Sequence, residues 1–261
     1  MENKPTYNPH KNEPNYLKSI MVYLAVLFLG GFVFTYMFAY LFASVFNVEY
    51  QLIIDSIVAT DLSKFSTEVI KANSLAQGCA NLLGYVLSAL FVIIILKNDL
   101  VNDFNNVKNN KKKIGIYTII CALGFVLLSY LIDLAFSQIV SDSSNQETIE
   151  IILKYGGMLP MLLATVIFAP IVEEIIYRKC IFSMCNKKGV VFSYVISIVA
   201  FTLPHMLSTQ SDALVWLLQC VPYAFCGGLL CFIYHKSNYN IYPVIIAHMA
   251  NNLLAVILVL I

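Results

Sequence analysis

Seven stretches of the chain contain no Asp, Glu, Lys or Arg: residues 19–48, 72–96, 114–132, 155–172, 189–211, 213–235 and 237–261. A helix of about 17 to 25 apolar residues crosses the hydrocarbon core of a bilayer, so each stretch is long enough, or nearly so, to span one. A backbone in lipid must satisfy its own hydrogen bonds, which selects helices for segments of this kind. Composition agrees. Hydrophobic residues make up 59% of the chain and charged residues only 12%, whereas a soluble chain of this size carries roughly a quarter charged residues. The expected fold is all-α: a polytopic transmembrane bundle of about seven spans with short interfacial helices, forming a single integral membrane domain over residues 1–261.

The expected partner of such a chain is membrane lipid. A net charge of +1 with scattered basic residues sets nucleic acid aside; nothing in the pattern specifies an oligomeric state. The seven cysteines lie in or at the ends of apolar runs, where a thiol acts as a small hydrophobe, so no disulfide framework is expected. Residues 1–17 form a polar tail, and the first stretch reads as a retained anchor rather than a cleaved signal. With the amino terminus inside, all of the sixteen Lys and Arg residues except Lys64, Lys71 and Lys154 fall in inner segments, as the positive-inside rule requires. The carboxyl terminus is then outside. Lys- and Asn-rich tail and loops without a eukaryotic targeting signal take a bacterial plasma membrane as the default location.

Two outer segments carry helical signals of their own. Ile54, Ile57, Val58, Leu62, Phe65 and Val69 recur at helical spacing and predict an amphipathic helix on the outer leaflet. Ser144 and Glu147 have capping-box spacing; Gly156-Gly157 then breaks that helix, and a span restarts near Met158.

Ionisable residues inside spans are costly, at least about 2.5 to 3.5 kcal/mol each on insertion scales, and need a partner or a task. Here they gather in residues 158–261: Glu173, Glu174 and Arg178 in the fourth span, His205 in the fifth, His248 and Asn252 in the seventh. His235 sits at an inner helix end and His10 in the tail. Counted from a turn near Lys188 and Gly189, Glu174 lies about 15 residues before and His205 about 16 after, so at ~1.5 Å per residue they share a level. Arg178 stands one turn from Glu174 at ion-pair spacing. Pro170 and Pro204 each remove a backbone donor just before these groups, and a wet pocket would satisfy the freed carbonyls. The expected cavity is near mid-membrane, towards the cytoplasm. Taken singly, Arg178 with Lys179 reads as a helix end, His205 and Asn252 as interhelical glue, Phe201 as packing, Asp133 as an interface residue and Gly227-Gly228 as a close helix contact. The set together reads as a site.

Three ordered motifs resemble those of the CPBP intramembrane proteases, also called the Abi or CAAX-protease family, which includes Ras-converting prenyl-protein endopeptidases. Glu173-Glu174-x-x-x-Arg178 resembles EExxxR, Phe201-x-x-x-His205 resembles FxxxH and His248-x-x-x-Asn252 resembles HxxxN. No serine, site-2 zinc or presenilin-type protease motif occurs. The resemblance implies an intramembrane endopeptidase, labelled a metalloprotease in parts of the family, acting on a peptide or membrane-protein substrate. In one scheme Glu173 takes the proton from water, His205 orients it, Arg178 neutralises Glu174, and His248 with Asn252 donates to the oxyanion. In the other, Glu173, His205 and His248 hold zinc with one open position. The cofactor is thus none or Zn. Two other classes remain: a catalytically silent scaffold or immunity-type peptide-binding protein, and a proton-coupled transporter, although no duplicated halves are visible.

The charge partition generates a test. Cysteines introduced at Asn110 and Lys188 should label from the cytoplasm, and those at Lys64 and Asn145 from outside; labelling of position 188 in intact cells from outside would reverse the orientation.

Overall fold

A computed structural model describes residues 12–59, 61–137, 139–141, 143–209 and 211–261. Most of the polar tail, with Lys4, His10 and Lys11, lies outside the described residues. Among the described residues all regular elements are helical: α1 (Glu13–Phe46), α2 (Tyr50–Val58), α3 (Thr67–Ile95), α4 (Lys97–Asn109), α5 (Lys111–Phe136), α6 (Ser144–Lys154), α7 (Met158–Lys188), α8 (Val190–Met206), α9 (Ala213–Lys236) and α10 (Ile241–Leu260). Six of them, α1, α3, α5, α7, α9 and α10, are long and apolar enough to cross a membrane by length and composition. The seventh expected span, α8, has 17 residues, about 26 Å of helix.

The chain is an integral membrane bundle arranged around α7. More than half of the apolar window of α7 (56%) is buried, against 6–33% for the other five long helices. α1 begins at Glu13, with Pro14 in its first turn where a missing N–H costs nothing. Small residues let α1 and α3 approach: Ala39 and Ala43 meet a stripe of Ala72 and Ala76, all buried, the packing mode used where lipid supplies no hydrophobic drive. α10 lies against α5, and α8 pairs with α9. The core around α7 joins Val172, Ile176 and Phe182 to Leu230, Tyr234 and Val244. All seven cysteines are free.

Several local expectations change. The outer amphipathic segment is not one helix: α2 ends at Val58, a 3-10 turn occupies Leu62–Lys64, and Val69 belongs to α3, whose N-cap Ser66 accepts from the Val69 N–H at 3.3 Å. α2 buries Ile53 and leaves Val58 79% exposed. The cap of α6 is Ser143, one residue before the expected Ser144, because its hydroxyl accepts from the Gln146 N–H. The basic segment after α3 is a helix, α4.

The break before α7 falls where expected. Gly156 adopts φ +106° and the Gly157 N–H closes onto the Ile152 carbonyl at 3.0 Å, the six-to-one bond that ends helices at glycine. Gly157 is pressed against α3: a Cβ there would stand 2.5 Å from Ile152 Cγ2 and 2.5 Å from the Ser74 carbonyl oxygen. Gly157→Ala should therefore cost about 1–3 kcal/mol by overpacking, read as a lowered thermal midpoint in detergent; an unchanged midpoint would show that α3 and α7 can separate freely.

Candidate active site

Glu173 and Glu174 are consecutive on α7, so about 100° of helical rotation sends them in different directions. Glu174 points inward, and its Oε1 is doubly engaged. Its Oε1 lies 3.2 Å from Arg178 Nη1 and 2.7 Å from His248 Nδ1, and both Glu174 and Arg178 side chains are fully buried. The Arg178 Nη2 donates to the Gly227 carbonyl of α9 at 3.0 Å, and the guanidinium sits 4.7 Å from the centroid of the Phe201 ring, a cation–π contact in a dry setting. Glu174 Oε2 and Arg178 Nε have no hydrogen-bond partner among the described residues.

Glu173 takes the other side. It is 4% exposed and lines a cavity of about 920 Å³ together with Tyr85, His205, Tyr223, His248 and Asn252. Tyr85 of α3 donates to Glu173 Oε1 at 2.8 Å. His205 Nδ1 lies 2.8 Å from the Phe201 carbonyl. A carbonyl only accepts, so His205 carries its proton on Nδ1 and keeps Nε2 unprotonated when neutral. The same argument applies to His248, whose Nδ1 meets a carboxylate. Each ring thus has Nδ1 committed to the protein and Nε2 in reserve.

The wide turns of α7 explain Asn252. Residues Leu163–Phe168 are π-helical, with the Ala169 N–H bonded to the Ala164 carbonyl five residues back. The next donor in that pattern would be residue 170, a proline without an N–H. The Thr165 carbonyl is left over, and Asn252 Nδ2 donates to it at 2.9 Å. The carbonyl freed by Pro170 is satisfied by protein rather than by a wet pocket, and one amide proton of Asn252 is already used.

The structure therefore brings all six sequence-predicted residues to one region in two layers: Arg178 and Glu174 behind, Glu173, His205, His248 and Asn252 along the cavity. Among the described residues, no three His, Cys, Asp or Glu side chains stand together so as to hold a metal ion; Glu173, His205 and His248 line the same cavity without forming that set. The cavity is also not confined to the expected level near mid-membrane, towards the cytoplasm. It extends to Ser141, Ser143 and Asn145 between α5 and α6, the end opposite the α7–α8 turn, and Asp133 lines it as well.

Sequence reading missed several contributors. Tyr85 carried no signal beyond a polar tip inside an apolar span. Tyr223 covers His205, ring centroids 4.8 Å apart, while its hydroxyl hydrogen-bonds the Ser143 hydroxyl at 2.7 Å. Phe201, read as packing, touches Arg178, His205 and His248 at once. Lys179, read as a helix-end marker, is 2% exposed and pairs with Asp103 of α4 at 2.8 Å. The same Asp103 oxygen accepts from the Ile241 N–H at the start of α10. Burial pushes the Asp103 carboxyl up from its ordinary range, against the pull of Lys179.

Fold and site together define a polytopic helical membrane protein with a buried carboxylate–histidine cavity. Residues 155–254 match the family described as type II CAAX prenyl endopeptidase Rce1-like, a segment that contains all six residues, and over that segment the chain is similar to this family. The chain is also similar to an uncharacterized protein of Mycoplasma capricolum subsp. capricolum, 25% identical over 194 residues that cover 69% of this chain and 55% of that protein. The chain thus spans about half the length of the curated relative it matches. No solved structure matches it.

Removing one partner of a buried ion pair leaves the other charge uncompensated, at about 3–5 kcal/mol. Glu174→Gln, which strands Arg178 and loosens His248, should lower the thermal midpoint well below that of Glu173→Gln; equal midpoints would show that the pair does not hold α7 in place.

Proposed function

We propose that the protein is an intramembrane endopeptidase in which Glu173 activates water for hydrolysis of a peptide bond in a membrane-associated peptide or protein substrate. The observation that carries this reading is the division between neighbouring carboxylates: Glu174 is tied up by Arg178 and His248, while Glu173 lines the cavity. Water held between Glu173 and His205 Nε2 gives its proton to Glu173 as its oxygen attacks the carbonyl carbon. The oxyanion is met by His248 Nε2, protonated when the ring carries both protons with Glu174 as counter-ion, and by the remaining amide proton of Asn252. Collapse breaks the carbon–nitrogen bond, and Glu173 returns the proton to the leaving amine.

The family description supports a prenylated CAAX segment as the substrate class. The partition of basic residues supports an amino terminus in the cytoplasm, with the α5–α6 end of the cavity outside, and the Lys- and Asn-rich composition of tail and loops supports a bacterial cell. Only protein groups act in this scheme.

The test uses purified protein in detergent with an internally quenched, prenylated CAAX peptide. Glu173→Gln keeps size and removes the basic oxygen, so cleavage should fall about 100-fold or more with folding intact, and exhaustive chelation should leave wild-type cleavage unchanged. Near-normal cleavage by Glu173→Gln would overturn the base. Loss on chelation with recovery on added zinc would replace the metal-free scheme.

A further inference from the structure

On the reading that Glu173 is the base, we propose that Tyr85 is a positioning residue for it, supplied by α3 from outside the family-matched segment. Among the described residues Tyr85 is the one side chain hydrogen-bonded to Glu173, at 2.8 Å to Oε1. A phenol has one proton to give and an ionised carboxylate only accepts, so the direction of the bond is fixed. Donation to a charged acceptor is the stronger kind of hydrogen bond. It holds Oε1 against α3 and leaves Oε2 as the oxygen available to water.

The other groups around Glu173 are engaged elsewhere. The hydroxyls of Tyr23 and Tyr177 bond each other at 3.1 Å, Glu174 is held by Arg178 and His248, and the ring of His205 bonds the Phe201 carbonyl. Among the described residues no other hydrogen bond fixes the rotation of the Glu173 carboxylate, whose side chain has three rotatable torsions. The placement of Tyr85 is itself constrained: α3 packs against the π-helical and following turns of α7, and Tyr85 lines the cavity with Glu173.

The variant Tyr85→Phe removes one oxygen and keeps the ring. With the quenched prenylated CAAX peptide, kcat should fall about 10-fold, the effect of losing a hydrogen bond to a charged group, while KM and the thermal midpoint stay as in wild type. In the Glu173→Gln background the same substitution should cost nothing further, a non-additivity expected only if Tyr85 acts through Glu173. Infrared difference spectra supply a readout independent of turnover: the carboxylate stretching band that disappears in Glu173→Gln should shift in Tyr85→Phe. Unchanged kcat in Tyr85→Phe beside an inactive Glu173→Gln would overturn the positioning role and leave the base intact. Full activity of Glu173→Gln would overturn the base instead. If the peptide is not cut, the band decides, and an unshifted band overturns the proposal.

Discussion

A guanidinium with no access to solvent is the constraint on which the four carboxyl-terminal helices depend. Arg178 in a bare apolar bundle would cost several kcal/mol, so α7 can be seated only when its partners arrive together. They come from four helices: Glu174 from α7 itself, the Gly227 carbonyl from α9, the Phe201 face from α8 and, through Glu174, His248 from α10. The spacing of the motifs is thus a packing requirement before it is a chemical one. The engagement of Glu174 by Arg178 and His248 then has a chemical consequence, because its neighbour Glu173 is left facing the cavity with a hydroxyl as its hydrogen-bond partner.

Polar side chains in this bundle also repair the backbone. The π-helical turn before Pro170 strands the Thr165 carbonyl, and Asn252 reaches across from α10 to donate to it. The Asp103 carboxylate does the same for the first N–H of α10 while pairing with Lys179. An unpaired backbone group in a low-dielectric interior costs about 1–3 kcal/mol, which accounts for polar residues that sequence reading treats as glue or helix-end markers. Asn252 is both glue and a cavity residue.

Much of the architecture was legible from charge alone, since uncharged runs of membrane-spanning length leave few other folds open. The six-residue site was legible because its members are ionisable residues in apolar spans, where such residues are conspicuous. What escaped notice was whatever looked ordinary. Tyr85 and Tyr223 are tyrosines in apolar helices, and only the approach of α3 and α9 to α7 and α8 reveals what their hydroxyls and rings meet. α4 escaped because a polar helix between two spans has the composition of a loop. The cap at Ser143 and the split of the outer amphipathic segment turn on one or two residues, below what spacing can resolve.

The segment matched to the family ends where the cavity does not. Residues 155–254 hold the ionisable groups, but Tyr23 and Leu27 of α1, Tyr85 of α3, Phe125 and Ser129 of α5 and Ser143 at the start of α6 wall the same space. Ser129 hydrogen-bonds Asn251, the neighbour of Asn252, and Ser143 hydrogen-bonds the tyrosine that covers His205. The wall of the cavity that Glu173 lines is therefore drawn from both halves of the chain. The amino-terminal half carries no motif because walls constrain shape and polarity rather than particular reacting atoms, and shape can be met by many sequences. On the function proposed above, the division between the matched segment and the rest is a division between reacting groups and the surface that presents a substrate to them.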